Sequence, residues 1–251
     1  MELTLKTYLI VCPLVFLAGL VDSVAGGGGL ISLPGYYLAG LSPVMAAGTN
    51  KLSAGLGCIS ASLRYIRGKQ VDWHAALYAC LGAFPGSWLG VHLLQRIPEN
   101  TIRLMMVIAI PLVALLMLRK GSDAPRRIVD ERFYRPAALA IGLFVGFYDG
   151  LIGPGTGTFL ILLFTMSLGI EPVMASGTAK VVNLASNLTA QFTLILSGEV
   201  IFALGLPAAA CGIIGNWLGA GLTMKKGAGF IHWMMLGVLA LLLAKMVLDM
   251  L

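Results

Sequence analysis

Charged side chains make up only 11% of this 251-residue chain, against roughly 25% in an average soluble domain, while 58% of it is apolar. That scarcity excludes water as the solvent of most of the surface. Strict apolar/polar alternation is also missing, and the unbroken Leu, Ala and Val stretches do not fit the strands of a membrane barrel. Cysteine is sparse: Cys12, Cys58, Cys80 and Cys211 stand singly inside apolar runs, without zinc or redox spacing, and read as small core residues. The three histidines, His74, His92 and His232, are scattered, so no metal site is expected. Nor is there a Gly-Lys-Ser/Thr phosphate loop, a His-Glu-x-x-His pair or a Gly-x-Ser-x-Gly elbow, and no cofactor is expected. The net charge of +6 is carried by short links between apolar runs with no interleaved aromatics, which argues against nucleic acid as a partner.

What remains is a series of apolar runs of about 15 to 25 residues, near the roughly 20 that a helix needs to cross a bilayer. The expected fold is an all-α integral membrane protein, a polytopic helix bundle of about 8 membrane segments. The first run, Thr7 to Leu20, looks like a signal peptide, but it recurs in mid-chain before Asp149 and is read as mature structure.

The chain repeats itself. Pro43 to Lys51 returns 129 residues later as Pro172 to Lys180 with seven of nine positions identical, and Gly86-Ser-Trp-Leu-Gly90 returns as Gly215-Asn-Trp-Leu-Gly219. Asp22 with Gly26 and Gly28 is answered by Asp149 with Gly153 and Gly155. The expected organisation is a first transmembrane repeat over 1–120, a basic cytoplasmic linker over 121–131 and a second repeat over 132–251. Each repeat reads as a helix ending at its Asp, a glycine-rich break, a short apolar piece and three full helices. In the first repeat these are Thr7 to Leu20, Leu30 to Leu41, Val44 to Ile66, Trp73 to Leu94 and Ile102 to Leu118. The second piece is too short to span, so the first two form a re-entrant pair or two short tilted helices.

Basic residues orient the copies. If the clusters at Arg64, Arg67 and Lys69, at the central linker, and at Lys225 and Lys226 are all cytoplasmic, the two repeats are inverted, with both termini outside. Lys6, Arg96, Arg103 and Lys245 then fall on the outer side, against the rule. Inverted repeats with interrupted helices in matching places point to a transporter whose site lies near mid-membrane, at the interface of the repeats.

Asp22, Lys51, Asp149 and Lys180 sit in or beside apolar runs, where each would cost about 2.5–3.5 kcal/mol at a helix centre. The simpler reading is two buried Asp/Lys pairs that fix the packing of each repeat. The functional one has Lys51 and Lys180 attract an anion while Asp22 or Asp149 couples to a proton or balances charge. Both lysines follow a helix start, where free backbone N–H groups already favour an anion. Thr49 and Thr178 are candidate hydroxyl donors, although threonine in a helix often bonds back to its own backbone. Asn50 belongs to the same element, with Ala179 opposite it. Asn183, Asn187 and Gln191 share a helix face with Lys180 and form a polar stripe, for substrate or for bonds between helices. The first repeat has Ala54, Cys58 and Ser62 there, so an asymmetric substrate contact is expected. Gly26, Gly28, Gly153 and Gly155 mark the broken helices, and Gly86-x-Trp-Leu-Gly90 with its copy reads as a close-packing surface.

On Asp22 to Gly29, Pro43 to Lys51, Asp149 to Gly155 and Pro172 to Lys180 together, essentially the whole chain resembles the TauE/SafE family of sulfite exporters. The resemblance implies export of sulfite or related organosulfur anions from bacterial cells, and puts the transport pathway along the glycine-rich Asp and Gly-Thr-x-Lys segments. The expected partners are a small anionic substrate and the lipid bilayer of a bacterial cytoplasmic membrane, with proton coupling and oligomeric state left open. An anion channel and, further off, a membrane-embedded enzyme are the rivals.

Overall fold

Pro43 follows Ser42, whose hydroxyl accepts a hydrogen bond from the Met45 amide, and this start is repeated where Glu171 caps Val173 and Met174 ahead of a helix beginning at Pro172. Such local signals divide the chain, in a computed structural model that describes residues 3–98, 101 and 130–250, into eight helices among the described residues. They are α1 (Leu5–Ala25), α2 (Gly29–Leu38), α3 (Pro43–Arg67), α4 (Trp73–Leu94), α5 (Glu131–Leu151), α6 (Thr156–Ser167), α7 (Pro172–Leu196) and α8 (Phe202–Met250). Helix α8 is broken at Gly227, and its first limb, Phe202–Gly227, joins Leu5–Ala25 and Trp73–Leu94 as the described helices long and apolar enough to cross a membrane. The expected piece Ile102 to Leu118, residues 121–129 of the expected linker 121–131, and the basic residues within them lie outside the described residues, and α5 begins at the last residue of that linker, Glu131.

Helix α1 runs one turn further than expected, to Ala25, because the stop is Gly26 at φ 68° rather than Asp22. The matching Gly153 stands at φ 89° in the second break, and Gly155, at φ 85°, caps the start of α6. With 10 and 12 residues, α2 and α6 are the short members of the two series.

Packing crosses from one copy to the other. Along α4 a methyl on Gly82, Gly86 or Gly90 would lie 2.2, 2.2 or 2.3 Å from the carbonyl oxygens of Leu139, Leu143 and Phe147 on α5. A methyl on Gly215 or Gly219 of α8 would likewise lie 2.1 or 2.4 Å from the Phe16 or Leu20 carbonyl oxygen on α1. Glycines four apart thus bring the backbones together, while Trp88 and Trp217 turn outward. The result is two intertwined bundles. One holds α1, α2, α3 and the first limb of α8 around Val11, Val15, Leu33, Tyr36 and Leu204; the other holds α5, α6, α7 and α4 around Ala79, Ile141, Val145, Phe164 and Val182. Each sequence repeat therefore lends its fourth helix to the other's bundle.

The bundles meet where α3 crosses α7. The Asn187 amide lies 3.9 Å from the Cys58 sulfur, and Gly55 faces Gln191 and Asn187, so the two helices run antiparallel there. Cys58 and Asn187 are equivalent positions in the repeats, which puts the pseudo-two-fold axis at this contact and across both helices.

Candidate functional site

The broken helices deliver their ends to the seam between the bundles. Gly26 touches Gly157 and Thr158, Gly29 lies against Pro154, and the Thr158 hydroxyl donates to the Ala25 carbonyl at 2.7 Å. The N-termini of α2 and α6 are thus brought side by side. Unbonded amides and aligned dipoles at such termini favour negative charge.

Around them lies a small cavity of about 60 Å³, part of it continuous with the outside. One bundle contributes Asp22, Gly28, Asn50, Lys51 and Asn216 to its wall; the other contributes Asp149, Gly153, Gly155, Asn183 and Asn187. The wall is not symmetric. Ser32, Ser53 and Asn50 line it, whereas their repeat counterparts Phe159, Val182 and Ala179 belong to the apolar core of the second bundle. The cavity is accordingly open on the side of Lys51 and filled on the side of Lys180.

Asp22, Lys51, Asp149 and Lys180 are all paired, and the pairs are exchanged between the copies. Lys51 on α3 meets Asp149 on α5 at 2.7 Å, and Lys180 on α7 is bonded to Asp22 on α1. The two buried Asp/Lys pairs of the simpler expectation are present, but they join the repeats instead of fixing each one: each lysine faces the other bundle and meets the Asp in the last turn or two of the partner repeat's first helix. Ion pairs that hold two separate bodies together answer the insertion cost of each charge without locking either body internally. Their surroundings differ. Asp149 is 3% exposed and also accepts from the hydroxyls of Thr156 at 2.9 Å and Ser186 at 2.7 Å. Asp22 takes the Gly28 amide at 3.2 Å and keeps a face toward the cavity, with Lys180 behind it at 1% exposure.

Thr49 and Thr178 stand elsewhere. Each threonine hydroxyl accepts a backbone N–H from the start of the borrowed fourth helix: Thr49 from Ile201 at 3.1 Å and Thr178 from Asp72 at 3.0 Å. Thr178 also donates to the Met174 carbonyl at 2.7 Å. Beside them Gly48 and Gly177 leave room for the Glu199 and Gln70 carbonyls. These threonines clasp each bundle together. On the polar stripe, Asn187 donates to Asn183 at 2.7 Å within the cavity wall, while Gln191 lies beyond it against Gly55 with its Oε1 unpaired. Gly26 is buried in the contact between the broken helices.

Sequence reasoning passed over Ser32, Ser53, Thr156 and Asn216. Asn216 stands inside the Gly215 to Gly219 packing motif, and a polar residue there with Ser87 as its counterpart was the available signal. No group of histidines, cysteines and carboxylates that would hold a metal occurs among the described residues.

The family model described as sulfite exporter TauE/SafE matches residues 11–246. A probable membrane transporter protein of Haemophilus influenzae is 37% identical over 238 residues, covering 93% of this chain and 92% of that one. The probable membrane transporter protein YfcA of Escherichia coli is 37% identical over 236 residues, covering 93% and 87%, and YunE of Bacillus subtilis, also named a probable membrane transporter, is 26% identical over 94% of this chain and 96% of its own length. No solved structure matches significantly. A match across nearly the whole chain, together with a polar cavity between bundles of membrane-length helices, makes this chain a member of the TauE/SafE family of membrane transport proteins.

Proposed function

We propose that this protein is a secondary transporter that exports a small sulfur oxyanion, sulfite or an organosulfonate, across a bacterial cytoplasmic membrane by alternating access, and that it performs no enzymatic step. The observation that carries the reading is the cavity between the bundles, where two half-helix N-termini and Lys51 favour an anion while Asp22 and Asp149, on the same wall, hold the counter-charges in pairs with the lysines. The family description supplies the sulfur chemistry.

The exchanged ion pairs support the alternation. Lys51 and Lys180 lie seven residues to opposite sides of the Cys58/Asn187 contact, about 10 Å each at 1.5 Å per residue. Rocking one bundle on the other about this contact closes the seam at one pair while it opens it at the other. An anion entering beside Lys51 loosens its hold on Asp149, and the inverted state repeats the event at Lys180. In this reading the repeats are inverted across the membrane, since α3 and α7 are equivalent helices that run antiparallel. Each negative charge leaving a cell that is negative inside gains about 2.3 kcal/mol per 100 mV, so export needs no coupled proton. A proton taken up by Asp22 when Lys180 turns to the anion would add coupling.

Sulfite counterflow in proteoliposomes tests the proposal. Saturable exchange in the wild type, lost in Lys51→Ala at equal folded protein, is the expected result. Flux without counterflow would make it a channel, and no flux of sulfite or organosulfonate would overturn the substrate.

A further inference from the structure

Two residues that line the cavity, Asn216 and Asn50, each carry a buried amide oxygen with nothing to accept from. Asn216 is 2% exposed, fitted between Gly19 and Gly57, where a methyl would come within 2.7 and 2.5 Å of its Nδ2. That Nδ2 donates to the Gly212 carbonyl at 3.0 Å, which fixes the amide's orientation, because turning it over would set two acceptors against each other. Its Oδ1 is left buried and unpaired. Asn50, 8% exposed and on the same wall, has an unpaired Oδ1 as well. Lys51, the nearest strong donor in sequence, is already held by Asp149.

A fully deprotonated oxyanion brings only more acceptors to these oxygens. One that carries a hydroxyl or ammonium satisfies them while its anionic end faces Lys51 and the helix N-termini. Unmet buried acceptors discriminate more sharply than apolar contact does, because the competitor leaves them unpaired. We infer that Asn216, assisted by Asn50, is a specificity-determining residue, and that the cavity selects small oxyanions bearing a hydrogen-bond donor over those of equal size without one. This rests on the reading of the cavity as an oxyanion site.

The test is calorimetric binding of three sulfonates of matched length to the full chain in detergent: ethanesulfonate, 2-hydroxyethanesulfonate and 2-aminoethanesulfonate. The wild type is expected to bind one or both donor-bearing ligands about tenfold more tightly than ethanesulfonate. Which of the two gains identifies the donor as hydroxyl or ammonium. In Asn216→Ala the ratio falls toward one, and because it compares ligands within one variant, a general loss of affinity does not disturb it. Should Asn216→Ala fail to fold, Asn50→Ala, which copies the Ala179 of the other repeat, is expected to lower the ratio too. Equal binding of all three by the wild type means that water meets the two oxygens; it overturns the inference and leaves the carrier reading standing. A ratio unchanged in both variants also overturns it. Binding of none of the three overturns the inference and the oxyanion site together.

Discussion

Asn187 occupies in the second repeat the place that Cys58 holds in the first, and the two side chains meet at 3.9 Å on the pseudo-symmetry axis. A contact between equivalent residues is the one point that stays put when two related bodies exchange conformations. Motion is expected to grow with distance from it, which makes the ends of the seam the places to intervene.

Gly29 and Pro154 face each other across that seam, a methyl on Gly29 lying 3.5 Å from the Pro154 Cα. Cysteines at both positions, in a chain otherwise free of cysteine, are within disulfide reach. Oxidation should stop counterflow and a reductant should restore it. Full flux in the crosslinked protein would mean that the bundles do not part here.

Removing one member of a buried ion pair leaves the other uncompensated. Lys51→Ala should destabilise the folded protein by about 3–5 kcal/mol, and Lys51→Met combined with Asp149→Leu should recover most of it. Thermal unfolding in detergent reads the stability, and counterflow should be absent from both variants. A stable, active single variant would remove Lys51 from both roles.

Lys69 and Ser197 are exposed residues of equivalent connections, after α3 and after α7. Single cysteines placed there should be labelled by an impermeant maleimide from opposite sides of the membrane. Labelling from one side would mean that the copies are not inverted.

Gly86→Ala and Gly215→Ala should each force α4 from α5 or α1 from α8, since the new methyl meets a backbone carbonyl at 2.2 or 2.1 Å. Both should lower the unfolding temperature. Gly229→Ala, with nothing within 4 Å of the added methyl, should be neutral or raise it slightly.

Much of this was legible in the residues. The match of Pro43 to Lys51 with Pro172 to Lys180 reveals the duplication, and Ser42-Pro43 and Glu171-Pro172 mark two helix starts because capping is a local interaction. Asp22 and Lys180 were visible as charges that need a partner. Which partner was not, because a repeat makes Lys51 and Lys180 equivalent without saying which Asp each one meets; the helix lent between bundles decides that. Thr49 and Thr178 read as donors to an anion, yet their hydroxyls are engaged by the backbone of that borrowed helix, a contact 152 residues distant for Thr49. Asn216 was hidden by its neighbours, since Gly215 and Gly219 alone explain the motif as packing.

The helix exchange also bears on how the chain is made. Asp22 enters the bilayer early in synthesis, but Lys180 lies 158 residues downstream. At about 5–20 residues per second, the ribosome takes roughly 8–30 s to supply it. Over that interval the first copy has a carboxylate without its counter-charge, and α1 lacks the glycine face of α8 on which it will rest. Each bundle is therefore completed only by a helix of the other copy, so neither half can be finished before the other is made.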